Sequence, residues 1–420
     1  MVKITMKAFL WLILASSAVI KSIGLNQSLW LDEAITANTV HHYTLANILK
    51  QFSVTDFHPP LYYFFLKVWT NIFGYSEIAL RLPSVIFSLI TVYVVFLIIR
   101  KIWPDQSRAS RAALWGAALI AFHPLLIYYA QEARMYSLVV MLIALAIYAK
   151  IKKSRWEFYL WSFLSLSTFY GSAFILITID FWNWGLWLGL LLLSPLIWKQ
   201  YSTSQTLIME VNNWSVALGR INWKNLALIP IKLITGRIPF QIWQGLIVIF
   251  FWAAAFKAGL KHKFWLKLLI IPIIIGILVS FKAPMMQYFR FQYLVIPLII
   301  LLILFQKTQI VFLLFFLIFS LAYIANPRQY REDWKSLSAN LPDNTAIYMI
   351  GSFADPIIYY RPELAIKDIK TNQPEENNFI YIPYGETIHG LDHLQLLSKL
   401  GYKRIKETNF REITYEEWQR

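Results

Sequence analysis

Four short stretches of the chain hold side chains able to do chemistry together. SLWLDEA (28–34) sets Asp32 and Glu33 side by side, and TDFHPPLYYF (55–64) offers Asp56 and His58 before a double proline. FGYSEIALRLPS (73–84) carries Glu77 and Arg81, and YYAQEARMYSL (128–138) places Glu132 and Arg134 on an aromatic background. Adjacent carboxylates disfavour each other's ionisation, so such a pair can take up a proton or hold a cation. Histidine can donate, accept or ligate, and a guanidinium can grip anionic oxygens with two parallel hydrogen bonds. The plainer alternative is that these acids are solvated loop residues and these arginines anchors at helix ends.

The surroundings of these stretches are apolar. Of 420 residues 58% are hydrophobic and 15% charged, with a formal net charge of +16. A soluble core cannot absorb so much apolar surface, whereas lipid-facing helices can. Zero cysteines exclude disulfides, iron–sulfur clusters and cysteine–zinc sites. The basic residues flank apolar runs instead of forming one patch, which argues for orientation signals and lipid headgroups and against nucleic acid. AFLWLILASSAVIKSIGL (8–25) follows Lys3 and Lys7 with no clear cleavage site, so a retained signal-anchor helix is expected.

Apolar runs at 82–99, 112–130, 136–149, 240–256, 266–281, 291–305 and 309–325 predict spanning helices. The stretch 156–198 predicts three short ones, with Asp180 inside it either marking a pathway or sitting in water at a helix end. PLYYFFLKVWTNIF (60–73) is short, contains Lys67, and predicts an interfacial amphipathic helix. Arg100, Lys101, Arg108 and Arg111 form one basic group, as do Lys150, Lys152, Lys153 and Arg155, and again Lys257, Lys261, Lys263 and Lys267. All three are expected on the cytoplasmic side. The outcome is an α-helical polytopic membrane protein with about eleven transmembrane helices in the cytoplasmic (cell inner) membrane. Its expected parts are a transmembrane domain at 1–326 with a first outer loop at 25–81, and an extracytoplasmic α/β domain at 327–420. In the latter, TAIYMIG and NFIYIPY read as strands and HGLDHLQLLSKLGY as a helix ending at glycine. Only nine of the 23 acidic residues precede position 326, and Asp32, Glu33, Asp56, Glu77 and Glu132 would all lie on the outer side. Ionisable residues at membrane depth point to function.

LWLDEA, DFHPPLYYFFLKVWTNIFGYSEIALRLPS and IYYAQEARMYSL together resemble membrane glycosyltransferases of the GT-C fold. In particular, they resemble the bacterial branch of the dolichyl-phosphate-mannose–protein mannosyltransferase family (glycosyltransferase family 39), which includes aminoarabinose transferases of lipid A. The likeness is strong over roughly 25–140 and weaker at FRFQYLVIP (289–297) and REDWKSLSANLPDN (331–344). It implies transfer of a sugar from a polyprenyl-phosphate-linked donor to an acceptor hydroxyl outside the cytoplasmic membrane, with membrane lipid and an acceptor glycan, lipid or protein as partners. The alternative is a transporter or lipid flippase of the cell-envelope glycan pathway; neither repeat symmetry nor mid-membrane charge is evident for it.

By this resemblance Asp32 is the expected general base and Glu33 its partner, orienting the acceptor, holding a metal or tuning its neighbour. Arg134 falls where the family places a phosphate-binding arginine, with Tyr136, His58 and Arg81 as further donor-phosphate contacts. Asp56, Glu132 and Arg290 are supporting residues, Glu132 by pairing with Arg134, and Arg237 is a more distant candidate. Phe57 stands where some relatives have an acid, so a metal role there would fall to Asp56 or His58. No cofactor is certain: a divalent metal is compatible with the family, but no cluster has metal-ligand spacing.

Overall fold

The computed structural model describes residues 2–103, 105–211, 213–305 and 308–420. Most of the chain before residue 326 is helical, and among the described residues four helices are long and apolar enough to cross a membrane. They are Glu77–Ile102, Gln244–Lys261, Lys263–Ser280 and Tyr288–Phe305. The expected run at 112–130 is not one straight helix. It is Arg108–Ala121 followed by Pro124–Ala130, bent by 56°. Pro124 causes the break: it has no N–H to donate and it forces the preceding His123 into an extended conformation (ψ 122°). The bend delivers the chain into the turn 131–135, which carries Glu132 and Arg134, before the helix Tyr136–Ile151 begins.

That helix has 16 residues, a length of about 24 Å against a hydrocarbon core of about 30 Å. The stretch 156–198, expected to hold three short spans, contains the helices Arg155–Thr168, Ser172–Ile179 and the greater part of a longer Trp184–Glu210, none of which is among the four described helices long and apolar enough to cross a membrane. PLYYFFLKVWTNIF forms the helix Leu61–Phe73, held by Lys67 Nζ on the carbonyl of Val40 at 2.9 Å. The short helix Leu31–His42 begins with Asp32 and Glu33 in its first turn, where the helix dipole favours negative charge.

Beyond residue 340 the chain forms a five-stranded sheet. Its strands are β1 Ala346–Met349, β2 Ile366–Asp368, β3 Asn378–Tyr381, β4 Lys403–Phe410 and β5 Ile413–Gln419, in the order β2-β1-β3-β5-β4. β1 runs parallel to β2 and β3, whereas β5 is antiparallel to β3 and β4. The predicted strands are β1 and β3, and the predicted helix is His393–Lys399, ended by Gly401 at φ +87°. The β4–β5 hairpin was not expected. β4 is an exposed edge strand, KRIKETNF, whose charged residues hide the alternation that marks a strand.

The sheet layer packs on the first helices of the chain. Lys335 Nζ bonds Glu77 at 2.8 Å, the Asn38 amide bonds Asp355 at 2.8 Å, and Tyr359 and Tyr360 hydroxyls meet the backbone of Tyr75 and Leu29. Inside the layer His393 lies between two carboxylates, Nδ1 on Glu386 and Nε2 on Glu416, each at 2.9 Å. Burial pulls this imidazole down, but bonds and charge from both glutamates push it up to about 9 from 6.5. A raised histidine contributes its full stability below its unfolded value and loses it as pH rises through the folded one. The thermal stability of the whole chain should therefore fall between about pH 7 and 9. His393→Ala should flatten that part of the profile and cost about 3 kcal/mol at neutral pH. An unchanged melting temperature in the variant would contradict this.

Candidate functional site

Two arginines approach the Leu31–His42 helix, and they are bonded in different ways. Arg81, 1% exposed, sits in the first turns of Glu77–Ile102 and engages all five of its N–H groups. Nε and Nη2 meet the two oxygens of Glu33 at 2.8 and 2.5 Å. The remaining donors go to the carbonyls of Leu25, Gln27 and Ser28 at 2.8, 2.6 and 2.9 Å. Glu33, equally buried, also accepts the backbone N–H of Ala133 at 2.7 Å. This bidentate pair ties together the loop at 25–28, two helix starts and the turn bearing Arg134. No N–H of Arg81 remains for a donor phosphate, and Glu33 is enclosed by its partners.

Arg134 is also buried, at 3% exposure, yet its contacts are long. Nη1 lies 3.2 Å from Thr36 Oγ1 and 3.4 Å from both the Asp32 carbonyl and the Tyr63 hydroxyl. Nη2 faces Asp32 Oδ2 at 3.6 Å, an ion pair beyond hydrogen-bond distance. Among the described residues Nε has no acceptor. The Asp32 side chain keeps 35% of its surface exposed. A partly exposed carboxylate therefore stands beside a buried guanidinium held only by long contacts.

Tyr63 extends this pair. Its hydroxyl donates to Asp56 Oδ2 at 2.5 Å, and the same oxygen meets His58 Nδ1 at 3.0 Å. Burial pulls the Asp56 carboxyl up, but His58, through charge and hydrogen bond, together with Arg134 and Tyr63, holds it below the usual carboxylate value. Phe57 adopts a left-handed conformation (φ +63°), which ends the Ser53–Asp56 helix and turns Asp56 and His58 toward one another. For a residue with a Cβ this costs about 1–2 kcal/mol. Gln200, from the Trp184–Glu210 helix, fastens the loop by donating to the carbonyls of Ser53 and His58.

Glu132 does not pair with Arg134. Its Oε1 meets Nη2 of Arg331 at 3.4 Å, because Arg331 arrives from the start of the sheet layer. Arg331 also donates to the Tyr128 hydroxyl at 2.6 Å and stacks 3.7 Å above the Trp30 ring. Arg237 bonds the same tyrosine hydroxyl from the turn after Trp223–Thr235. Burial pushes the Glu132 carboxyl up to about 8 against the opposing pull of the Arg331 charge. Tyr136 opens the Tyr136–Ile151 helix with its ring edge-on to Phe289 at 5.4 Å. Arg290 lies over the Phe289 ring at 5.8 Å, is held by the carbonyls of Leu218 and Pro284, and is within electrostatic range of Asp32, Arg134 and Tyr136. Among the described residues no group of three or more His, Asp or Glu is placed to hold a metal ion. The Asp56–His58 pair is closed by mutual bonding and by Tyr63, a poor fit to a divalent cation.

Tyr63, Gln200 and Arg331 were not among the residues expected from the sequence. A hydroxyl within LYYFFL is an ordinary interfacial aromatic until its neighbours are known, and Gln200 and Arg331 reach the site from distant segments.

A family model described as dolichyl-phosphate-mannose-protein mannosyltransferase matches residues 57–176. No protein of curated function matches the chain in sequence. Among solved structures, ArnT from Cupriavidus metallidurans bound to undecaprenyl phosphate is 12% identical, with 98% of each chain covered and a TM-score of 0.49. Its apo form gives 12%, the same coverage and 0.48. The Archaeoglobus fulgidus oligosaccharyltransferase in complex with Zn and sulfate is 13% identical, with 85% of this chain and 62% of that chain covered and a TM-score of 0.49. The matched segment leaves Asp32 and Glu33 outside it but holds His58, Arg81, Glu132 and Arg134; residues 57–176 are mannosyltransferase-like, in keeping with the resemblance carried by DFHPP and QEARMY.

Proposed function

We propose that this chain is a polyprenyl-phosphate-sugar-dependent glycosyltransferase that works on the outer side of the cytoplasmic membrane. The observation that carries the assignment is Asp32 next to an under-bonded Arg134, 3.6 Å apart, from segments about a hundred residues apart in sequence. Arg134 takes the phosphate oxygens of the donor, exchanging long contacts for short charge-assisted ones. Asp32, released from its pairing, removes the proton of the acceptor hydroxyl. The acceptor oxygen bonds the anomeric carbon, the carbon–phosphate-oxygen bond breaks, and its electron pair leaves with the polyprenyl phosphate, whose added charge Arg134 offsets.

The outer location is supported by charge. Lys150, Lys152, Lys153 and Arg155 gather at the opposite end of the Tyr136–Ile151 helix from Arg134, and Arg100 and Lys101 end the helix that begins near Arg81. Basic ends favour the cytoplasm, which puts the site across the membrane from them.

Arg134→Ala should bind polyprenyl phosphate ~10–100-fold more weakly in detergent, the loss expected for hydrogen bonds to a charged group. Arg134→Lys should recover part of that affinity, since it keeps the charge and loses the fork. Wild-type affinity in Arg134→Ala would remove this residue from the donor site.

A further inference from the structure

At the far end of the Tyr136–Ile151 helix lies a cavity of about 510 Å³, within the range of small-ligand sites. Its lining includes Lys150, Lys153, Arg155, Tyr159, Trp182 and Trp184. Lys150 is occupied: Nζ meets Asp180 Oδ2 at 2.5 Å and lies 5.2 Å from the Phe158 ring. Lys153 and Arg155 are exposed and have no acidic partner among the described residues. Lys153 is fixed in the left-handed region at φ +62°, and Arg155 opens the 14-residue helix Arg155–Thr168, whose N-terminus favours anions.

The aromatic wall is pinned in place. Asn183 donates to Ser162 at 2.8 Å and caps the Trp184–Glu210 helix. A Cβ at Gly185 would fall 1.9 Å from the Tyr159 carbonyl, so the two helices meet backbone to backbone. Trp182 and Trp184 keep 71% and 66% of their surface exposed. Indole rings with one apolar and one polar side suit the lipid–water boundary.

We infer that this cavity binds the phosphodiester headgroup of an anionic glycerophospholipid on the membrane face opposite the Asp32–Arg134 site. The two unpaired cations receive the phosphate and the tryptophans flank the first part of the acyl chains. A bare phosphate would leave most of the volume and the indole wall unused. The inference depends on the chain spanning a membrane and not on the transfer reaction.

The test is native mass spectrometry of the full chain released from bilayers of equal phosphatidylglycerol and phosphatidylcholine. Phosphatidylglycerol should be retained in excess. Each basic residue at an anionic surface is worth about 5-fold, so Lys153→Ala/Arg155→Ala should lower the excess by ~25-fold and Lys153→Gln alone by ~5-fold. Trp156→Ala, an exposed tryptophan outside the cavity lining, should leave retention unchanged. Equal retention of the two lipids, unaltered retention in the basic variants, or an equal loss in Trp156→Ala would overturn the inference. Displacement of the lipid by soluble glycerol phosphate would overturn it too, by showing that the site takes a free anion.

Discussion

Asp32→Asn slows sugar transfer by about 10²–10⁴, the usual contribution of a positioned general base, and leaves the protein folded. Folding is spared because the side chain is partly exposed and its contact with Arg134 is long. Asparagine fills the same volume, and the Asp32 carbonyl, which accepts from Thr36 at 2.8 Å, is untouched. Donor binding should be unchanged or tighter, since Arg134 loses a competitor for its charge. The measurement is turnover and polyprenyl phosphate affinity on the same preparation. Transfer at the wild-type rate would end the base assignment. Intact turnover per bound donor with weakened affinity would instead place Asp32 in donor binding.

Arg81→Ala has an equally large effect of a different kind. It leaves the Glu33 carboxylate with only the Ala133 N–H and strips the donor from three carbonyls, two of them buried. Breaking a buried pair from one side costs about 3–5 kcal/mol. The melting temperature of the detergent-solubilised chain should drop well below that of Asp32→Asn or Arg134→Ala. Removing both charges, as in Glu33→Leu/Arg81→Met, should restore only the part of the loss that comes from the unpaired buried carboxylate, because the three carbonyls still lack a donor and the Ala133 N–H loses its acceptor. A stable Arg81→Ala that cannot bind polyprenyl phosphate would return Arg81 to the donor contacts expected from the sequence.

What could be seen in the sequence depended on how local each signal is. Apolar runs, basic clusters and the proline punctuation at 59 and 60 are written in neighbouring residues, so the helical character and the segments bearing the site were legible. Asp32 and Arg134 come together only through folding, and nothing but the family likeness linked them beforehand. Glu33 and Arg81 looked as chemical as Asp32 and Arg134. Only bond lengths and donor counts separate the enclosed pair from the loose one, and sequence carries neither. The bend at His123–Pro124 was hidden within a run whose composition suits one straight helix. Arg331 was read only as part of a motif at the start of the outer layer, because its partners Trp30, Tyr128 and Glu132 lie two to three hundred positions earlier.

The stacking of Arg331 on Trp30 bears on how such chains can be recombined. An exchange of the carboxy-terminal layer between relatives would swap one half of a cation–aromatic clasp whose other half stays behind, one residue from the helix that presents Asp32. Working hybrids would have to transplant the tryptophan with the arginine, so the useful unit of modular exchange is the clasp and not the visible sheet.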